Sequence, residues 1–200
     1  MVTKRATELK IVGGDLALDL ANTLEGTDAP ETLVDYAELA RWAALTGAIT
    51  QDDAERLTPI ASRDPDAADR VLADVRRLRA VVDGIFRAVA ARERPAAGAL
   101  DELAGLAAEA AARARLVPDE ATFALAWEGD DLRRVVWPIA AAAVDLLRTG
   151  PLDRIKTCAN CPWLFIDRSR NRSRRWCTMD ECGVHLKMRR YRARQVKRSA

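Results

Sequence analysis

The amino-acid sequence predicts a mainly helical protein of the α+β class, with a helical N-terminal domain that carries a β-hairpin and a small cysteine-containing C-terminal module. Apolar residues recur with a helical period through most of residues 1–150, and only one stretch there has the pattern of two paired strands. All four cysteines of the 200-residue chain lie between Cys158 and Cys182. A break at Gly150-Pro151 divides the chain into predicted domains over residues 1–150 and 151–200.

Helices are expected to follow one another through the first domain. Leucines at every fourth position from Leu16 to Leu24 form the apolar stripe of a first helix. A second helix is expected to begin at the cap Thr32-x-x-Asp35 and to end at Gly47. Further helices are expected over residues 51–60, 66–93, 100–114 and 132–148, where Pro138 either kinks the last helix or starts a new one.

One hairpin interrupts this helical pattern. Residues 115–117 and 122–127 are largely apolar, and they flank the turn-forming stretch Pro118-Asp-Glu-Ala121. Two such runs joined by a short turn are typical of a β-hairpin. We therefore expect one strand pair in the first domain.

The net charge of +2 conceals a division between the two parts of the chain. Residues 151–200 hold 14 Lys and Arg against 4 Asp and Glu, a net charge of +10. The remainder holds 18 basic and 26 acidic residues, a net charge of −8. This asymmetry indicates a basic element for a polyanion, attached to an acidic domain. No apolar run approaches the roughly 18 residues of a membrane helix, and the N-terminus does not resemble a signal peptide, so we expect a cytoplasmic protein without a membrane partner.

The cysteines have the spacing of a metal site. Two close pairs of thiolates suit a tetrahedral zinc ion, because a two-residue loop can place two sulfurs on one ion at about 2.3 Å. The intervening segment is long enough to bring the second pair back to the first. We therefore predict one structural Zn²⁺ ion. The spacing is C-x2-C-x15-C-x4-C, formed by Cys158, Cys161, Cys177 and Cys182.

The spacing alone does not exclude other uses of these cysteines. Two disulfides would use the same four residues, a redox C-x-x-C pair would use two of them, and iron also accepts four thiolates in a tetrahedron. His185, the single histidine, lies three residues after Cys182. It is a weaker candidate ligand, since four cysteines already complete a zinc site.

The C-terminal module is dense in arginine and lysine. A hairpin arm over residues 168–174 would place alternate arginines on one side, and a helix over residues 183–198 would carry a cationic strip. Twelve Lys and Arg within residues 168–198 favour nucleic-acid binding over a merely solvated charge run. The candidate contact residues are Arg168, Arg170, Arg172, Arg174, Arg175, Lys187, Arg190, Arg194 and Lys197.

A second candidate site lies in the helical domain. Polar side chains cluster on or beside the first helix, where they either make local hydrogen bonds or contact a small molecule, and a tryptophan on the second helix would form core or a pocket wall. The candidate ligand-binding residues are Asp19, Asn22, Thr23 and Trp42. The sequence has no glycine-rich phosphate loop, H-E-x-x-H or G-x-S-x-G motif, so we expect no enzymatic activity.

At these residues the chain resembles the bacterial CGNR zinc-finger proteins, whose N-terminal part is the ABATE domain. The resemblance rests on three stretches and covers nearly the whole chain. The name-giving tetrapeptide differs, because Val184 and His185 stand where the family has Asn and Arg. The three stretches are Leu16-Ala-Leu-Asp-Leu-Ala-Asn-Thr23, Trp137-Pro-Ile-Ala followed by Val144-Asp-Leu-Leu147, and Cys158 to Cys177 with Ser169-Arg-Asn-x-Ser-Arg-Arg-Trp.

The resemblance implies a stress-induced transcriptional regulator. We accordingly expect the zinc module to bind DNA and the helical domain to bind a small-molecule effector or to mediate homodimerisation. Pairing across a two-fold axis would compensate for the small footprint of one basic module. Two alternatives remain: a small-molecule-binding protein or enzyme with a structural zinc appendage, and a zinc module that binds RNA or protein.

Overall fold

The structure is a computed structural model that describes residues 4–24, 29–184 and 188. It confirms the mainly helical fold with two small antiparallel hairpins. None of the helices within these residues is both long and apolar enough to cross a membrane. The helices are α1 (Leu16–Ala21), α2 (Tyr36–Leu45), α3 (Gln51–Arg63), α4 (Pro65–Ala91), α5 (Ala97–Arg113) and α6 (Trp137–Thr149); the strands are β1 (Arg115–Asp119), β2 (Thr122–Ala126), β3 (Ile155–Thr157) and β4 (Leu164–Ile166).

Side-chain caps determine where the first four helices begin. Asp15, Asp35, Thr50 and Asp64 each accept a hydrogen bond from a backbone N–H in the first turn of α1, α2, α3 and α4. The expected start of the second helix at Thr32 is wrong, because Asp35 is the cap. The Thr32 hydroxyl instead donates to the backbone carbonyl of Thr23, just after α1.

Pro138 starts a new helix. A short 3₁₀ turn, Leu132–Val135, precedes it, and α6 then begins at Trp137 with the proline in its first turn. A proline fits this position because the first backbone N–H groups of a helix have no intrahelical acceptor. The second of the two expectations for this segment is therefore the one observed.

Helix α4 forms the centre of the helical domain. Its 27 residues span about 40 Å, and it packs against α1, α2, α3 and α5, while α6 packs against α1 and α5. Helix α4 also contacts β3, so it connects the α3 end of the helical domain to the zinc module. Its most deeply buried side chains are Val75, Leu78, Val82, Ile85 and Phe86.

The second hairpin packs against the helical domain. Strands β3 and β4 pair antiparallel, and every side chain of β4 is buried. Leu164 and Ile166 belong to the core of the helical domain, whereas Phe165 packs with the cysteines. Because alternate side chains of a strand point to opposite faces, β4 contributes to two cores at once. The domain division at Gly150-Pro151 stays a prediction, and side-chain packing extends across it.

Candidate zinc centre and basic surface

The four cysteine sulfurs converge beside the β3–β4 hairpin. Their Sγ atoms all lie within 4.8 Å of one another, and those of Cys161, Cys177 and Cys182 are 3.6 Å apart in each pair. A tetrahedron with Zn–S bonds of about 2.3 Å has edges of about 3.8 Å, so the sulfurs have the spacing of a zinc site. All four cysteines are free, and these separations exceed the roughly 2.05 Å of a disulfide.

The chemistry of the cluster also fits a cation. The hydrogen bonds from Cys161 and Cys182 lower the pKa of the Cys177 thiol. The contact with Cys177 raises the pKa of Cys161, and burial raises the pKa of Cys182. Neighbouring thiolates repel one another, so all four ionise together only when a positive ion neutralises them. The four cysteines form one zinc-binding site.

Backbone hydrogen bonds hold the two cysteine pairs in position. The N–H of Cys158 donates to the carbonyl of Trp163 at 2.8 Å, which closes the first knuckle. The N–H of Ala159 donates to the carbonyl of Arg175 at 2.9 Å, which ties this knuckle to the second pair. The π-helical turn Met179–Gly183 then presents Cys182 to the cluster.

Aromatic and apolar side chains enclose the cysteines. The indole N–H groups of Trp163 and Trp176 are buried and lack an acceptor among the described residues. Lys10 pairs with Asp180 at 2.9 Å and with Glu181 at 3.1 Å, which fastens the N-terminal segment to the second knuckle. The packing residues are Leu9, Val12, Trp163, Phe165 and Trp176.

Asn22 joins the helical domain to strand β4. Its Nδ2 donates to the carbonyl of Leu164, and its Oδ1 accepts from the N–H of Leu164, both at 2.8 Å. These two hydrogen bonds take the place of those that a neighbouring strand would make with Leu164. They satisfy two buried backbone groups. A side chain 142 positions away along the chain therefore acts as the edge partner of β4.

Asp19 supports the same strand through the backbone. Its Oδ1 accepts from the N–H groups of Val12 at 3.0 Å and Gly13 at 2.7 Å, and the Gly13 carbonyl accepts from the N–H of Ile166 at 2.9 Å. A Cβ atom at Gly13 would lie 2.8 Å from the Cβ of Leu18, so this close approach requires glycine. Burial raises the pKa of Asp19 to about 6, against the opposing effect of its two N–H donors.

The other two predicted ligand-binding residues are also buried. The Thr23 hydroxyl donates to the carbonyl of Leu20 at 2.7 Å and accepts from Arg79 at 3.2 Å. Trp42 is fully enclosed in the core of the helical domain. All four residues thus have a place in packing or hydrogen bonding, and a ligand-binding role for them stays a prediction.

Asp167 organises the arginine-rich segment 168–175. Its buried carboxylate accepts from Lys156 Nζ at 2.6 Å, Ser169 N at 2.9 Å, Ser169 Oγ at 2.6 Å and Arg174 N at 3.0 Å. Burial opposes ionisation, but the hydrogen bonds from Lys156 and Ser169 outweigh it and lower the pKa of Asp167. The expected hairpin arm over residues 168–174 is wrong, because these bonds curl the segment into a compact loop.

Arg174 is bound tightly within the module. Its guanidinium lies 4.7 Å from the centre of the Phe165 ring. It also donates to the backbone carbonyls of Trp176, at 2.8 Å, and Cys177. A half-buried side chain with these contacts braces the second cysteine pair.

The remaining arginines of the loop are exposed. Arg168 donates at 2.8 Å to the carbonyl of Gly14. Arg172 pairs with Asp153. Within the described part of the chain, the side chains of Arg170 and Arg175 have no hydrogen-bonding partner. Four of the five arginines therefore face solvent beside the metal centre.

The predicted basic helix lies mostly outside the described residues. Val184, at its expected start, is helical and exposed. The single histidine is not described, so its candidacy as a ligand stays a prediction. The predicted contacts outside the described residues are Lys187, Arg190, Arg194 and Lys197.

Sequence reasoning missed the acceptor at the centre of the arginine loop. Asp167 follows an apolar strand directly and precedes a serine by two positions, and Asp-x-Ser favours a local turn in which the carboxylate accepts backbone N–H groups. That signal was present beside the cysteines. The ion pair with Lys156 had no local signal, since it joins residues on opposite sides of the first knuckle.

Two family models match the chain in the same order as the structural parts. Residues 14–150 match ABATE, described as "putative stress-induced transcription regulator", and residues 154–195 match the CGNR zinc finger. A search of curated proteins found no match. The sulfur cluster at the finger has the donor set that such a module requires. The chain therefore belongs to the ABATE family of putative stress-induced transcription regulators, and its C-terminal part is a CGNR zinc finger.

Proposed function

We propose that this protein is a zinc-dependent DNA-binding transcription regulator. The zinc ion would hold the finger in shape, and the arginine loop would bind the phosphate backbone, so the function needs no catalytic step. A role in the stress response rests on the family description. The proposal places the protein in the cytoplasm, with DNA as its partner.

The observation that carries the proposal is the rigid support of the arginine loop. Asp167 anchors the loop through four hydrogen bonds, and Arg174 joins it to the second cysteine pair. Arg170 and Arg175 consequently extend from a loop whose backbone is already ordered. Side chains on an ordered loop lose less conformational entropy when they bind phosphate. Exposed arginines also suit phosphate because their guanidinium groups can donate in a bidentate manner.

The proposal is tested with the intact zinc-loaded protein and a mixed-sequence DNA duplex, by fluorescence anisotropy over a salt series. We compare a double variant, Arg170→Ala with Arg175→Ala, with the wild type. Each lost phosphate contact lowers the salt slope by about 0.9, so the double variant should lower it by about 1.8. A matched control, Arg63→Ala with Arg70→Ala, removes the same charge near the opposite end of α4, where both arginines are exposed.

Three outcomes would contradict DNA binding by this surface. The first is a wild-type protein that binds no duplex at low salt. The second is an equal loss in the control variant, which would show that only net charge matters. The third is tighter binding to single-stranded RNA than to the duplex, which would favour the RNA-binding alternative.

A further inference from the structure

A cavity between α4 and the zinc finger combines arginine side chains with small apolar ones. Its volume is about 540 Å³, which is within the range of small-molecule sites. One face of α4 forms its wall, because Arg76, Ala80, Gly84 and Arg87 follow one another at helical spacing. The two small residues between the arginines leave a groove along the helix. The other side is formed by Ala21, Leu24 and Pro162.

Gly84 keeps this groove open. A Cβ atom added to it would meet nothing within 4 Å, so close packing does not require a glycine at this position. A glycine inside a helix is destabilising relative to alanine, because it loses more conformational freedom on folding. The effect of Gly84 on the structure is therefore free space in the cavity.

Three guanidinium groups line the cavity, and two carboxylates neutralise them only in part. Glu31 accepts hydrogen bonds from Arg79, which is 6% exposed, and Asp83 accepts from Arg87 Nε at 2.7 Å. Arg76 shares Glu31, whose Oε2 lies 3.4 Å from its Nε. One positive charge consequently remains, and it matches a monoanion better than a doubly charged phosphate.

Arg76 and Arg87 also retain hydrogen-bond donors. Arg76 Nη2 donates to the carbonyl of Leu33 at 2.6 Å, but its buried Nε has no hydrogen-bond acceptor among the described residues. The Nη1 atoms of Arg76 and Arg87 have no acceptor in that part of the chain either. Guanidinium N–H groups suit a carboxylate, which can accept two of them at once.

We propose that this cavity binds a small organic carboxylate with an apolar body. The carboxylate accepts hydrogen bonds from Arg76, and the apolar body lies in the groove over Ala80 and Gly84. The four ligand-binding residues predicted from the sequence do not line this cavity. Thr23 reaches it only through its hydrogen bond from Arg79 at 3.2 Å.

The site joins the helical domain to the finger. Arg87 Nη2 donates to the carbonyl of Pro162 at 2.8 Å, and Pro162 follows the zinc ligand Cys161 directly. A ligand in the cavity therefore contacts both parts of the protein. Any effect of the ligand on DNA binding would rest on the proposed function, so binding is tested without DNA.

The experiment is an NMR titration of the zinc-loaded protein. The probes are phenylacetate and phenylbutyrate, with phenylbutyramide as the uncharged analogue. At least one acid should bind with a dissociation constant of about 1 mM, as expected for a ligand of this size, and should shift the amide signals of Ala80 and Gly84. Phenylbutyramide should bind about tenfold more weakly, because it lacks the charge. Inorganic phosphate should not shift these signals.

Two glycine substitutions on different helices test the location. Gly84→Leu fills the groove and should abolish binding. Gly105→Leu should leave the dissociation constant unchanged, because Gly105 is an exposed residue inside α5, where an added Cβ atom also meets nothing within 4 Å. Circular dichroism verifies that both variants fold. Arg76→Gln should weaken binding of the acid about tenfold, to the level of the amide, and should leave binding of the amide unchanged.

The proposal is overturned if neither acid binds at concentrations up to about 10 mM. Equal effects of the two leucine substitutions, or equal affinities for phenylbutyrate and its amide, would also overturn it. So would signal shifts confined to the arginine loop, which would show non-specific attraction to exposed charge. Inorganic phosphate that binds beside Gly84 as tightly as the acids would contradict the carboxylate class. None of these results depends on whether the protein binds DNA.

Discussion

The two hairpins of this protein have the same antiparallel topology and opposite environments. Strands β1 and β2 have five residues each, and their apolar face is exposed; β3 and β4 have three residues each, and β4 is completely buried. Among the described residues nothing covers the apolar face of the longer hairpin, whereas the shorter hairpin lies between the helical core and the cysteine cluster. Coverage, and not strand length, therefore distinguishes the buried hairpin from the exposed one.

A matched pair of phenylalanines gives the largest expected difference between the hairpins. Phe165→Ala removes a fully buried ring that packs against the cysteines, and we expect a loss of about 3–5 kcal/mol in the free energy of unfolding. Phe123→Ala removes a ring that is 70% exposed, and we expect a change within about 0.5 kcal/mol. Urea denaturation of the zinc-loaded protein measures both. Similar losses for the two variants would show that burial does not distinguish the two hairpins.

A smaller effect on stability is expected from pH. Of the two hairpins, it concerns only β3–β4, which Asp19 supports. Burial raises the pKa of Asp19 from 3.8 to about 6, so its protonated form is favoured in the folded protein. The resulting stabilisation amounts to at most about 3 kcal/mol. It is fully present below about pH 4 and is lost as the pH rises through about 6. Asp19→Asn keeps an oxygen acceptor for the N–H groups of Val12 and Gly13 but does not titrate.

The measurement is the free energy of unfolding of both proteins from pH 4 to pH 7. Relative to the wild type, Asp19→Asn should gain stability across this interval, because only the wild type must bury a charge. The difference between the two proteins is informative because other carboxyl groups, Asp167 among them, contribute with the opposite sign. A constant difference across the interval would show that Asp19 is not perturbed.

Local patterns in the sequence predicted the helices and the metal ligands well. The apolar stripe over residues 66–93 predicted α4, which spans Pro65–Ala91, and the cysteine spacing predicted the four converging sulfurs. Both signals are local, since a helix has its own period and a C-x2-C loop brings two ligands together by itself.

Such local patterns could not predict the long-range contacts. The alternating arginines predicted a strand, but the buried acceptor Asp167 curls the segment into a loop. Asn22 was predicted as a ligand-binding candidate, and its contacts with Leu164 depend on how α1 and the finger pack. No period or spacing in the sequence specifies a hydrogen bond between residues so far apart.

We infer that the helical domain and the zinc finger form one structural unit joined through β4. The most direct test is the zinc affinity of Asn22→Ala, measured by competition with a chromogenic chelator. Asn22 contacts no cysteine, but its removal leaves the N–H and carbonyl of Leu164 unpaired, at a cost of about 1–3 kcal/mol. By linkage, zinc binding should weaken about tenfold or more, whereas Asn171→Ala, in the exposed arginine loop, should bind zinc like the wild type. Wild-type zinc affinity in Asn22→Ala would contradict the account and show that the finger holds its metal independently of the helical domain.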